Sequence, residues 1–270
     1  MSNRLNYSLF CFLSKLFPKK LIKKYPEKPV FIVGSQRSGT TILEKIIAQS
    51  NEVCDWSEAN YIWNEHFYNF FSNNLKKTIP DFRGRGIHAY EIPKKGWSYS
   101  EEKVKRLFGV YCFIHRKSRI LHKSPFNTLR LQLLKKFFPE CKIINVARDV
   151  RAVVRSNIEK TYEGVIPKKD FIDEIIYRWR ECIKRVKDFK EKNPHKIVEI
   201  SYEQLSSNGN EETIEKIFDF CELKINDSVY NKLSEVENRN YKFKQDLTES
   251  EIEYIEKNVE NFRPKPFGFS

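Results

Sequence analysis

Short runs of apolar, often β-branched residues alternate along this chain with stretches whose apolar positions recur every three or four residues. Val30-Phe31-Ile32-Val33 has the continuous apolar character of a strand buried on both faces. After a polar turn, Ile42, Leu43, Ile46 and Ile47 fall at helical spacing. A second strand is expected over Asn51 to Trp56, with Ser57 as N-cap of an aromatic-rich helix from Tyr61 to Phe71. Residues 73–100 are broken up by Pro80, Gly84, Gly86, Pro93 and Gly96, and read either as a loop over a cleft or as a solvated insertion. A strand runs from Arg119 to a polar tip at Pro125. The next helix carries Leu129, Leu133, Leu134 and Phe137 on its apolar face and stops at Pro139. Cys141 to Ala147 reads as a central strand, followed by helices over 150–160 and from Pro167 to about Lys192. A last strand over 196–200 precedes helical segments at 213–221, 228–233 and 248–259.

Strands alternating with helices predict an α/β fold: three layers, with a mainly parallel central sheet covered on both faces. Ligands of such sheets bind beyond the carboxyl ends of the strands. The polar segments at 34–41, Glu58, Lys123 and Arg148 all fall at such ends. A chain of 270 residues with 21 Phe, 13 Tyr and 4 Trp can bury a large core, and only 9 Gly and 11 Pro speak against low complexity. The expected organisation is an N-terminal segment over 1–27 and one domain over 28–270.

Charge and cysteine usage narrow the setting more than the activity. The net charge of +13 implies attraction to phosphates, acidic glycans, anionic lipid or nucleic acid. The basic residues show no interleaved aromatic recognition motif, so nucleic acid is not expected. Six cysteines without a C-x-x-C pair read as buried thiols in a reducing, cytoplasmic setting. No histidine or cysteine spacing suggests a metal site, and none is expected. Tyr7 to Phe17, with Lys15 inside it and lysines after it, is too short to cross a bilayer. It reads as a helix packed on the domain or as a basic amphipathic segment, 1–24, lying on a membrane surface.

The turn after the first strand is Gly34-Ser35-Gln36-Arg37-Ser38-Gly39-Thr40-Thr41. Strand, glycine-flanked loop and helix N-terminus gather backbone N–H groups around one small volume, which suits phosphate. The spacing is nearly G-x-x-x-x-G-K-[ST], but Thr40 stands where a P-loop nucleotidase has its lysine, and the cation is Arg37. Without that lysine the loop suits a terminal 5′-phosphate better than a metal-bound triphosphate.

These residues resemble the 5′-phosphosulfate loop of sulfotransferases that use 3′-phosphoadenosine 5′-phosphosulfate (PAPS). The resemblance extends to Arg148-Asp149-Val150-Arg151-Ala152-Val153-Val154-Arg155-Ser156, similar to the family's 3′-phosphate motif, in which an arginine and a serine eight residues later form the clamp. Val150 replaces the usual proline. Lys123-Ser124-Pro125 resembles the element whose lysine meets the leaving phosphate, and Tyr202-Glu203-Gln204-Leu205 the element beside the adenine. No Lys-Thr-His-x-Pro element is present, so the glycan and tyrosyl-protein branch is the closer match. The resemblance implies a P-loop nucleotidase-like sulfotransferase fold, and transfer of a sulfuryl group to a hydroxyl on a glycan, a protein tyrosine or a small molecule. A polysaccharide or other anionic acceptor fits the basic surface. It implies Gln36, Arg37, Ser38, Gly39, Thr40, Thr41, Arg148, Ser156 and Tyr202 as donor-binding residues. Lys123 would stabilise the leaving phosphate and Glu58 would be the general base. Glu58 also has a reading as a first-turn glutamate complementing a helix dipole. His122, next to Lys123, should point to the opposite face of its strand. The other classes to be separated are a P-loop kinase or ATPase and a non-catalytic nucleotide-binding protein.

Overall fold

The computed structural model describes residues 12, 16, 26–58, 62–63, 100–164 and 166–262. Among these, five parallel strands form one sheet in the order β2-β3-β1-β4-β5. They are β1 (Val30–Gly34), β2 (Val53–Asp55), β3 (Arg119–Lys123), β4 (Lys142–Ala147) and β5 (Ile197–Ser201). β1 lies at the centre, pairing β3 through Val30–Leu121 and β4 from Val30–Lys142 to Gly34–Val146. The chain leaves β1 towards one edge and later returns to build the other side from β4. The switch of direction therefore falls at the carboxyl end of β1, where parallel sheets open a crevice.

Every residue of β1 is buried, and alternation divides its side chains between two cores. Phe31 and Val33 join Ile120, Ile143 and Ile197 under α2 (Glu101–Ile114), α3 (Leu131–Phe137) and the carboxyl half of α5 (Lys168–Lys192). Val30 and Ile32 join Leu121, Ile144, Val146 and Ile200 under α1 (Thr40–Ile47), α7 (Asn210–Cys221) and α8 (Asp227–Ser234). A third cluster joins α4 (Val150–Thr161) to the first half of α5, α9 (Phe243–Asp246) and α10 (Glu249–Val259). Between β5 and α7 lies one further turn, α6 (Tyr202–Leu205), closed by a capping box from Ser201 and Gln204. The three-layer α/β/α architecture expected from the sequence is thus present.

The largest difference from the sequence reading is α2. Ser100 caps it by accepting from Lys103 N, Glu101 and Glu102 occupy its first turn, and Val104, Leu107 and Phe108 are buried. Those signals stand in the sequence beside a Pro/Gly-rich stretch whose irregularity masks them. A six-residue 3-10 helix, Pro125–Arg130, also precedes α3. β2 is shorter than expected and ends at Asp55. The expected helix at 61–71 apart from residues 62 and 63, the loop at 73–99, the segment 1–24 apart from residues 12 and 16, and the tail from 263 lie outside the described residues. Cys54, Cys112, Cys141, Cys182 and Cys221 are buried free thiols. Among the described residues no helix is long and apolar enough to cross a membrane.

Candidate active site at the carboxyl edge of the sheet

The loop after β1 folds on glycine conformations. Gly34 has φ 142°, and a Cβ there would stand 2.3 Å from the Val146 carbonyl oxygen. Gly39 has φ 97°, and its Cβ would meet Tyr202 Cδ2 at 2.8 Å. Only glycine lets the loop lie this close to β4 and to Tyr202. Arg37 adopts φ 66° without that licence. Ser38 N donates to Ser35 O at 3.3 Å, and the Ser35 and Ser38 hydroxyls are 2.6 Å apart. Gly34 N donates to the Thr128 hydroxyl at 3.2 Å, which ties the loop to the segment after β3. Gly39 gives α1 no side-chain cap and its first turn has no acidic residue. The positive end of the helix dipole is left without a built-in counter-charge.

Arg148 leaves the tip of β4 and bends over this loop. Its Nη1 donates to the Arg37 carbonyl at 3.1 Å and its Nε to Asn240 Oδ1 at 2.9 Å. The guanidinium lies 3.9 Å from the Tyr202 ring centroid. Burial lowers its pKa, although nearby Tyr202, Glu203 and Asp149 oppose the change. Glu203 orients Asn240 in turn: its Oε1 accepts from Asn240 Nδ2 at 2.5 Å and from Asp149 N at 3.2 Å. Asp149 caps α4 by accepting from Arg151 N, and Ser156 sits half-buried two turns into that helix.

Tyr202 is only 1% exposed. Its hydroxyl donates to Glu237 O at 2.7 Å and accepts from Arg239 N at 3.1 Å. With Arg148 stacked on its ring and Gly39 against Cδ2, it has little surface left for a nucleobase. Tyr202 is thus a pillar under the loop and the arginine.

Across β1, Lys123 ends β3 and is 2% exposed. Its ammonium lies 2.5 Å from Glu58 Oε1 and 3.4 Å from Glu44 Oε2. Glu58 N also donates to Lys123 O at 2.8 Å, and Glu58 itself has φ 45°. Its side chain is 57% exposed. Asp55 completes the group; burial first, then the Glu44 carboxyl group, pushes its pKa up to about 7 against a smaller opposing pull from Lys123. His122 points to the other face of the sheet, as strand alternation requires. It packs against Phe31, Trp63 and Phe108 and bonds Asn127 through Nδ1 at 2.9 Å.

The structure thus gathers the loop, Arg148 and the Lys123–Glu58 pair around the carboxyl end of β1. Residues not anticipated from sequence are Glu44, Asp55, Thr128, Glu203 and Asn240. Glu203 lay inside the Tyr202 element without a role of its own, and Glu44 carried a signal as a carboxylate between Leu43 and Ile46 on a helix face otherwise apolar. Among the described residues no group of three or more His, Cys, Asp or Glu side chains converges as a metal site.

A central parallel sheet covered by helices on both faces, with a glycine-flanked loop at its switch point and an arginine from the next strand bent over it, defines an α/β protein. More specifically, a family model described as "Sulfotransferase family" matches residues 29–227, and the chain belongs to that family. A putative protein-tyrosine sulfotransferase from Caenorhabditis briggsae is 22% identical over 204 residues, covering 73% of this chain and 66% of that protein. The chain spans less than two thirds of the length of the first curated relatives it matches, and only 29% of one from Aquifex aeolicus. Among solved structures, sulfotransferase STF1 from Mycobacterium tuberculosis superposes with a TM-score of 0.61 at 14% identity, covering 94% of this chain and 82% of that one. Mouse sulfotransferase SULT7A1, complexed with PAP, gives 0.52 at 14% identity over 91% and 88%. At these identities the structures speak for the fold.

Proposed function

We propose that this protein transfers a sulfuryl group from PAPS to an acceptor hydroxyl. One observation carries the reading: Arg148, 111 residues further along the chain, donates directly to the backbone of the anion loop at Arg37. Two phosphate-binding elements at one point suit a donor with phosphates at both ends of a nucleoside. The PAP bound to the mouse neighbour is a ligand of this shape.

The loop N–H groups from Gln36 to Thr41, with the Ser38 and Thr40 hydroxyls and the Arg37 side chain, would receive the 5′-phosphate. Arg148 and Ser156 would take the 3′-phosphate. Bound there, the donor supplies an activated sulfuryl group whose departure leaves negative charge on a phosphate oxygen. Lys123 is the buried cation on the same edge, and a preorganised ammonium in a partly dry site stabilises such charge well. Glu58, exposed and beside it, is the group able to accept the proton of an incoming hydroxyl. Among acceptors, a protein tyrosine has the support of the nematode relative's name, and a polysaccharide or other anionic acceptor that of the net charge of +13.

Calorimetry with adenosine 3′,5′-bisphosphate, alongside adenosine 5′-phosphate and ATP–Mg²⁺, with and without EDTA, tests the reading. Metal-independent binding of the bisphosphate that weakens at least tenfold in Arg148→Ala is expected. Preference for ATP–Mg²⁺ would instead return the loop to the nucleotidases.

A further inference from the structure

The buried side of Lys123 holds a carboxyl pair for which the transfer reading has no use. Glu44 lies on the inner face of α1, just past the anion loop, and is 3% exposed. The helical period that puts Leu43, Ile46 and Ile47 against the sheet carries Glu44 inward beside them. An ionised carboxylate in such a place is costly unless it is paired and hydrogen-bonded. Glu44 Oε2 has Lys123 at 3.4 Å, but Oε1 is buried and no donor among the described residues reaches it. Asp55, at the end of β2, stands within hydrogen-bond reach of Glu44, and its Oδ1 is likewise buried without a donor among the described residues. Two carboxyl groups in contact, each with an oxygen that no other described group serves, are satisfied together by one proton held between them.

We propose that Glu44 and Asp55 are positioning residues for Lys123: Asp55 donates its carboxyl proton to Glu44, and the Glu44 carboxylate so held anchors the ammonium from its buried side. The inference rests on the sulfuryl-transfer reading, in which Lys123 meets the leaving phosphate. Lys123 then has two carboxylate partners of opposite character. Glu44 is fixed on a packed helix and cannot leave. Glu58 is 57% exposed on a left-handed backbone turn, and a donor phosphate can take its place at the ammonium. That exchange gives the leaving oxygen its cation and releases the base in the same movement.

The groups facing Asp55 set how the device responds to pH. Glu44 from α1 opposes its ionisation, Lys123 from β3 favours it more weakly, and Tyr111 of α2 uses its hydroxyl on the Asp55 carbonyl at 2.7 Å. With Asp55 protonated, Glu44, Glu58 and Lys123 together carry one net negative charge. Ionising Asp55 makes it two, beside a site meant for phosphates. The midpoint near 7 puts this change in an accessible range.

The test uses the full chain and its Asp55→Asn and Glu44→Gln variants, with calorimetry of adenosine 3′,5′-bisphosphate from about pH 5.5 to 8.5. The ratio of Asp55→Asn to wild-type affinity cancels the ligand's own titration. It should start near one and rise roughly three- to tenfold with pH, because the amide donates to Glu44 throughout and never ionises. In the Glu44→Gln background, the ratio gained by adding Asp55→Asn should rise at lower pH, because burial then raises Asp55 without the neighbouring carboxylate. The urea midpoint of the wild type should fall relative to Asp55→Asn up to about pH 7 and level off above it, a reading that needs no ligand. Identical pH courses for wild type and Asp55→Asn would overturn the inference alone, as would a pH course of the ratio that Glu44→Gln leaves unshifted. If the wild type binds no bisphosphate at any pH, the donor reading falls and this inference with it.

Discussion

Replacing Gly39 by alanine tests what holds the loop after β1 in its shape. At φ 97° an L-residue is strained, and roughly 1–2 kcal/mol is the usual cost of the left-handed region. The added methyl would stand 2.8 Å from Tyr202 Cδ2. That ring is held at its hydroxyl by Glu237 O and Arg239 N and covered by Arg148, so it cannot retreat cheaply. Overpacking of this kind costs about 1–3 kcal/mol. The less flexible unfolded chain returns about 0.4–1 kcal/mol. The net expectation is a loss of about 1–5 kcal/mol, a large share of a stability that for single domains is on the order of 5–15 kcal/mol. Urea denaturation measures the loss, and bisphosphate calorimetry should show affinity falling at least tenfold. Repeating the substitution in a Tyr202→Leu background should recover the overpacking part and leave the backbone part, a coupling of about 1–3 kcal/mol. A loss under about 0.5 kcal/mol with unchanged binding would refute this account of the loop.

Tyr202→Phe keeps the ring and removes the hydroxyl that serves Glu237 O and Arg239 N; a loss of about 1–3 kcal/mol in urea denaturation is expected. Asn240→Ala takes away the acceptor of Arg148 Nε and the donor to Glu203, so bisphosphate affinity should fall severalfold while thermal unfolding shifts little. Arg119 donates to the Lys28 and Glu222 carbonyls from a buried position; Arg119→Met strands both acceptors and should cost about 2–4 kcal/mol, read by denaturation. Burial pushes the Cys141 and Cys221 thiols up to about 12, so iodoacetamide at pH 8 should leave both unlabelled in the native protein and label them in denaturant.

The elements nearest the site were legible because their signals are local. Val30 to Val33 announces a buried strand by composition, and the Arg148 strand by its lack of charge. Helix α2 was missed because the cap and apolar spacing at Ser100 to Phe108 follow a segment crowded with proline and glycine. The part played by Tyr202 was legible only as a motif. Its burial arises from Gly39 and Arg148, residues 163 and 54 positions away along the chain. Asn240 gave no warning, since an asparagine in a polar stretch looks like any turn residue until it stands beside a guanidinium.

What the sequence by itself determined is the set of strands and helices, their alternation and the place of the polar tips at the ends of strands. Period and turn chemistry act between near neighbours, so one chain suffices to read them. What only the tertiary structure decided is who meets whom. The strand order β2-β3-β1-β4-β5 puts Lys123 on one side of the loop and Arg148 on the other. The same order brings Glu44, Asp55, Glu58 and Lys123 from separate elements into one cluster. Burial of that cluster, and with it the titration of Asp55 near neutrality, follows from helices packing over the sheet. No window of sequence holds that information, because desolvation is a property of everything that surrounds a group.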